Sequence, residues 1–337
     1  MCSTPKLYFA YDSFPSQKVL MYLYEKEVNF ESYVIDVNEG ENFCSWYLRI
    51  NPRGEVPSLV VDYKYVLGSE EILEYVEDRG LGSKSLLLSN IDKENCKLSC
   101  LLDGLSALSI EALTLGTAYF PHHRTNDIPP SDALTHRKKM IKYAQNRPTI
   151  LREASDSNRG TPSEAILLAM SMKCSARMSK YSIEDEHKKV LRQFQSILDD
   201  IEEQLLYNCI SISAKVQMVE QEDRDLLTYI NGQSFSAIDC VLSIVLFQLD
   251  WLGYSDLMLS DRPSLSYWWR NAKERKSFIK STAKPTLTFQ LLKRRIYRHR
   301  FAITATLGFT AVFVFSCMYL KRLYIQPRLT KCIIHNK

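Results

Sequence analysis

Residues 54–76 read GEVPSLVVDYKYVLGSEEILEYV. Pro57 stands directly before the β-forming run Ser58-Leu59-Val60-Val61. A proline has no N–H for a strand ladder, so it belongs at the start of this run, in a tight turn where a cis bond is expected. Two residues, Asp62-Tyr63, separate the run from Lys64-Tyr65-Val66-Leu67, and the pair predicts a hairpin. Residues 69–79 read as a helix ended by Gly80.

Working outward toward the N-terminus, residues 6–10 (KLYFA) read as a short strand. Ser13-Phe14-Pro15 opens a helix running to Glu27, since serine is a good N-cap and proline is tolerated in the first turn. Residues 31–37 (ESYVIDV) alternate as a second strand, and a helix near 42–50 ends before Pro52. The order β-α-β-α-β-β-α is the α/β thioredoxin-like arrangement, which assigns residues 1–80 to one domain.

Toward the C-terminus the pattern becomes all-α. Residues 92–120 form a candidate long helix. Val190, Phe194, Ile197, Ile201 and Leu205 trace one apolar stripe on another. Ser236 and Asp239, within NGQSFSAID (231–239), form an N-capping pair ahead of an apolar helix. The apolar run 240–247 is too short to span a membrane and is followed by Asp250, so it reads as a core helix. Residues 115–189, with Pro129-Pro130 and basic residues between 137 and 142, read as an insertion of helices joined by exposed loops. Their charge and proline content suits partner recognition. The helical domain is expected over 81–280.

The charge is divided. Net charge is +4, but 14 of the 43 basic residues fall after residue 274, where no acid follows. The first 274 residues therefore hold 29 basic residues against all 39 acids. An acidic body with a basic tail points to an anionic membrane surface. Nucleic acid is not expected, because no reader motif is present. Nine dispersed cysteines without a CxxC pair, and no signal peptide within residues 1–20, read as reduced cytosolic thiols. His122 and His123 are adjacent, but no second cluster at ligand spacing accompanies them, so no metal is expected.

Residues 301–320 contain no charge, and fifteen of the twenty are apolar. At about 1.5 Å per residue they span roughly 30 Å, the hydrocarbon thickness of a bilayer. Lys293, Arg294, Arg295, Arg298 and Arg300 flank one side, Lys321, Arg322 and Arg328 the other, and Tyr297, Tyr319 and Tyr324 suit the interface. A segment so late is inserted after synthesis, so the expectation is a single-pass tail anchor with the body in the cytosol. Residues 281–300 are a basic linker or an amphipathic segment, and 321–337 a short basic tail.

Two motif sets carry a resemblance. Gly54-Glu55-Val56-Pro57-Ser58-Leu59 and Ser69-Glu70-Glu71-Ile72-Leu73-Glu74-Tyr75-Val76 resemble the N-terminal half of glutathione transferases. Together with Ser13-Phe14-Pro15-Ser16-Gln17-Lys18-Val19, Gly232-Gln233-Ser234-Phe235, the helical insertion and the tail, they resemble the ganglioside-induced differentiation-associated protein 1 family. That resemblance implies a thioredoxin-like domain joined to an all-α transferase domain. It implies a mitochondrial outer-membrane location with a peroxisomal pool, and a role in organelle fission, shape and redox balance.

It also implies where glutathione would bind. Val56, before Pro57, would pair with the tripeptide backbone. Ser69 and its helix N-terminus would receive the γ-glutamyl carboxylate. Ser13 or Ser16 would stabilise the thiolate. The same serines suit plain helix capping. Gly68 stands where transferases carry Glu or Gln, so the contact to the glutamyl amine is lost. No cysteine lies in 13–16 and Ala10 falls near the tyrosine position of other classes. The expected function is therefore a tail-anchored, transferase-like protein of mitochondrial dynamics with weak or no conjugating activity. The alternative is an active membrane-bound glutathione transferase. A transferase-fold channel is disfavoured by the missing cysteine. A homodimer is compatible with the sequence, and the partner protein is not specified by it.

Overall fold

A computed structural model describes residues 4–83, 85–86, 96–124, 131–216, 229–232 and 234–283. All lie within one compact unit, Met1–Lys284. The expected anchor at 301–320 and its basic flanks fall outside the described residues. Among the described residues no single helix is long and apolar enough to cross a membrane.

The first half runs β1 (Lys6–Phe9), α1 (Phe14–Glu25), β2 (Glu31–Val34), two short 3-10 turns, α2 (Ser45–Leu48), β3 (Ser58–Val61), β4 (Lys64–Leu67) and α3 (Ser69–Asp78). The four strands form one sheet in the order β2-β1-β3-β4, with β1 parallel to β2 and antiparallel to β3. The hairpin pairs Ser58 with Leu67 and Val61 with Lys64. Its two-residue turn carries positive φ at both Asp62 and Tyr63, the primed geometry that matches strand twist. The Val56–Pro57 bond is cis, as the sequence led one to expect.

Helix α1 is buried nearly all round, from Ser16 to Leu23. The second half of the chain explains why. It comprises α4 (Cys96–Ala107), α5 (Ile110–Tyr119), α6 (Ser131–Ser157), α7 (Pro162–Tyr181), α8 (Glu184–Val216), α9 (Ala237–Leu252), α10 (Ser255–Leu259), α11 (Pro263–Ala272) and α12 (Lys276–Thr282). Helices α9 and α12 both pack on α1. Apolar residues of sheet, α1, α8 and α9 form one continuous core. Polar ties cross the same seam: Gln248 donates to Gln17 at 2.6 Å, and Arg275 and Ser277 both reach Glu25, at 2.6 and 2.7 Å.

The expected long helix at 92–120 is two helices where it is described. Ser109 accepts from the Ala112 N–H at 3.1 Å and caps α5, and the chain bends by 46° there. The stripe Val190, Phe194, Ile197, Ile201 and Leu205 is buried along α8. Ser236 and Asp239 form the expected capping box, and α9 is a core helix. Asp239 also accepts from the Ile230 N–H (3.2 Å) and the Trp268 indole (3.1 Å), so it ties three segments together.

The insertion is a packed hairpin. Helices α6 and α7 lie against each other and close a second apolar cluster of Leu151, Ala154, Leu167 and Cys174 around Leu48 of α2. Asn158, between them, donates to the Phe43 carbonyl at 3.3 Å. The segment expected to be mainly an exposed partner surface is thus also a wall against the N-terminal half.

Candidate functional site

A cavity of about 560 Å³ lies between the N-terminal half and the α5–α6–α7 wall. Ser13, Val56, Pro57 and Ser69 line it together, as do Gly68 and Glu71. The turn bearing Val56 is held from behind. The Tyr47 hydroxyl and the Asn51 amide both donate to the Glu55 carbonyl, at 2.7 and 2.9 Å. Val56 itself makes no backbone hydrogen bond among the described residues, which leaves its N–H and C=O for a ligand.

The two N-terminal serines part company. Ser13 is the N-cap of α1 and accepts from the Ser16 N–H at 3.4 Å, while its own hydroxyl proton remains to be donated into the cavity it lines. Ser16 is fully buried, is not among the lining residues, and accepts from the Ala10 N–H at 3.3 Å. Its hydroxyl braces the corner between β1 and α1, so of the two serines it is Ser13 that lines the cavity. Ser69 is the first residue of α3 and makes no capping bond; Gly68 is the N-cap.

Several residues of the site were not found by reading the sequence. Glu71, the third residue of α3, folds back over Gly68: a Cβ placed on Gly68 would lie 2.2 Å from Glu71 Oε2. Gly68 has φ +109°, so the bare backbone is needed both for the turn and for this carboxylate. Tyr143 and Arg147 of α6 line the opposite wall. Burial raises the Tyr143 phenol pKa, although Arg147 pulls it back, so the hydroxyl stays a proton donor. Burial opposes the Arg147 charge, but the fields of Tyr143, Glu111, Cys174 and Glu55 outweigh it and raise its pKa. Its guanidinium lies 3.8 Å from Glu55. Gln248 and Asn42 also line the cavity, and their buried Oε1 and Oδ1 take no hydrogen bond from the described residues. None of these had a local signal, because each reaches the cavity only through the packing of distant elements.

Residues 13–79 match the family described as the glutathione S-transferase N-terminal domain. The chain is 24% identical over 278 residues to human ganglioside-induced differentiation-associated protein 1-like 1, covering 81% of this chain and 72% of that protein. Among solved structures, the β-etherase LigF of Sphingobium sp. strain SYK-6 superposes with a TM-score of 0.55 at 19% identity, covering 84% of this chain and all of LigF. Ure2p in complex with glutathione does so at 0.52 and 13% identity, over 83% of this chain and 94% of Ure2p. The resemblance read from the motifs is thereby borne out. Residues 13–79 match a glutathione S-transferase N-terminal domain, the described chain has the glutathione transferase-like fold, and it is similar to the ganglioside-induced differentiation-associated protein 1-like proteins.

Proposed function

We propose that this chain is a glutathione transferase-like protein of the mitochondrial outer membrane, held there by residues 301–320 with its body in the cytosol. It acts in organelle fission and shape, has a peroxisomal pool, and conjugates glutathione weakly or not at all. The kinship with the ganglioside-induced differentiation-associated proteins and the charge-free segment between basic flanks support this reading. Partner recognition falls to the outer surface of α6 and α7, where Leu168 and Met172 are exposed apolar residues.

One observation carries the weak-activity half. The Glu71 carboxylate sits at the α3 N-terminus, where an incoming carboxylate would otherwise meet uncompensated N–H groups and the positive end of the helix dipole. An acid already in place offsets that attraction. Ser69 and the Val56 main chain then hold the tripeptide with the help of Arg53, Lys139 and Arg147, which line the same cavity. The second reading, a working transferase, is favoured by Ser13 and Tyr143, whose hydroxyl-bearing side chains line the same cavity.

Calorimetric titration of the full chain in detergent separates them. Glutathione is expected to bind with Kd on the order of 1 mM, or about −4 kcal/mol. Removing the acid in Glu71→Gln should tighten binding about two- to fivefold, the scale of a helix-end charge. Micromolar binding that weakens in Glu71→Gln, with turnover of a generic electrophile lost in Ser13→Ala or Tyr143→Phe, would make the protein an enzyme.

A further inference from the structure

The turn after α5 and the start of α8 bring together three groups that the cavity does not use. His122 and His123 lie in the short 3-10 turn Pro121–His123, and Glu184 is the first residue of α8. The His123 Nε2 is 3.2 Å and the His122 Nε2 3.9 Å from the same Glu184 oxygen. One donor atom from each of the three residues lies within 4.8 Å of the others. Bonds of about 2.1 Å at tetrahedral angles separate two donors by roughly 3.4 Å, so the trio needs adjustments of between a few tenths of an ångström and at most about 1.4 Å to share an ion.

The arrangement is braced. The His123 ring packs against both Phe120, at 5.7 Å, and His187, at 5.2 Å and 12° from parallel, and those two rings lie 5.8 Å from each other, so the three form one cluster. His187 is itself fixed, with Nε2 3.2 Å from the Tyr254 hydroxyl. Its ring fits because α5 carries Gly116 beneath it, where a Cβ would lie 1.9 Å from His187 Nδ1. This three-ring cluster, with His123 only 13% exposed, restricts the imidazole before any ion arrives, which lowers the ordering cost of binding. His122, 65% exposed, is free to complete the set. Two imidazoles and one carboxylate make a borderline donor set, suited to zinc rather than to calcium or magnesium, which prefer oxygen alone.

We propose that His122, His123 and Glu184 form a surface site for a divalent cation of the zinc class, with its remaining coordination position open to water. One competitor is present: Lys188 Nζ lies 2.8 Å from the same Glu184 oxygen. Its side chain is 48% exposed, so it can swing into solvent when the cation takes the carboxylate.

The test is metal titration of the full chain in detergent after chelator stripping. Co²⁺ is added while the visible d–d bands are recorded, and Zn²⁺ affinity is measured against a chromophoric indicator. The wild type should show one tetrahedral cobalt site more than either His122→Ala or Glu184→Gln. Each variant should weaken that site at least about tenfold, since loss of an outer-shell partner alone costs about 10–100-fold. Both positions are on the surface, so the variants should keep the native circular dichroism. Lys188→Ala removes no ligand and should tighten zinc. Equal metal binding in the wild type and both ligand variants, or no effect of Lys188→Ala together with no tetrahedral cobalt band, would reduce the trio to a surface ion-pair cluster.

Discussion

Glu71 and Gly68 form a unit, and neither is interpretable alone. Restoring an acid at position 68 looks, from sequence, like a repair of the missing amine contact. The structure argues otherwise. A side chain at 68 would have to adopt φ near +109° and displace the Glu71 carboxylate. Such a backbone is costly for any residue but glycine, so Gly68→Glu should destabilise the fold by about 1–3 kcal/mol without tightening glutathione. Chemical denaturation and a parallel titration would measure both. Asp239 poses a different residue-scale question. Burial drives its carboxyl pKa up to about 6, against the pull of its hydrogen bonds to Ser236, Ile230 and Trp268. A raised folded-state pKa means that the folded protein holds a proton the unfolded chain releases. The stabilisation from this group is therefore full below pH 4 and lost as pH rises through 6, a swing of about 3 kcal/mol. Unfolding followed between pH 4 and 7 should show that slope in the wild type and lack it in Asp239→Asn. The capping role of Asp239 was legible in the sequence because Ser236 stands three residues before it. The fold-back of Glu71 was not, since a third-position acid in a helix is ordinary until the conformation of Gly68 is known.

At the scale of elements, β1, α1, the hairpin and α3 announced themselves through alternation, capping, the two-residue turn at 62–63 and the proline at 57, whereas the strand expected over 31–37 ends at Val34 and the helix expected over 42–50 shortens to Ser45–Leu48 after a 3-10 turn. The stripe on α8 did the same through its spacing. The break between α4 and α5 did not, because Leu108 and Ser109 are both compatible with a continuing helix, and the serine cap competes only once α5 packs at an angle. The α6–α7 hairpin was read for its charge and not for its buried face. Leu151 and Leu167 are nearly inaccessible and meet Leu48 across the cluster that fastens the hairpin to the N-terminal half. Leu151→Ala or Leu167→Ala should cost about 2–5 kcal/mol, as truncation in a packed core does. Both should also weaken glutathione binding, because the same hairpin carries Tyr143 and Arg147 into the cavity. Removing residues 115–189 entirely would therefore confuse a lost partner with a lost wall. The cleaner probe of partner recognition is Leu168→Glu with Met172→Glu, which alters only exposed residues. It should impair effects on mitochondrial shape in cells while leaving the thermal midpoint unchanged, and unaltered morphology would place the partner surface elsewhere.

For the whole molecule, the division of charge matters more than its sum. The basic residues beyond position 274 and the charge-free run at 301–320 predict that removal of residues 293–337 yields a protein recovered in the cytosol. Sedimentation of the truncated chain with membranes after carbonate extraction would sink the anchor reading. Arginine in place of Val312 and Val314 should also block insertion, at about 2.5–3.5 kcal/mol for each central charge. The last described helix gives the proposed anchor a mechanical meaning. α12 lies on α1, with Arg275 and Ser277 joined to Glu25 and Ser281 touching the Met21 sulfur at 3.7 Å. α1 in turn begins at the Ser13 cap, on the rim of the cavity. Any tension applied to the chain beyond residue 284 must enter the body through this clasp. A pull that loosened α12 would reach a helix whose N-terminal cap lines the cavity, so a protein tethered in the proposed way would register the strain of the surface that holds it.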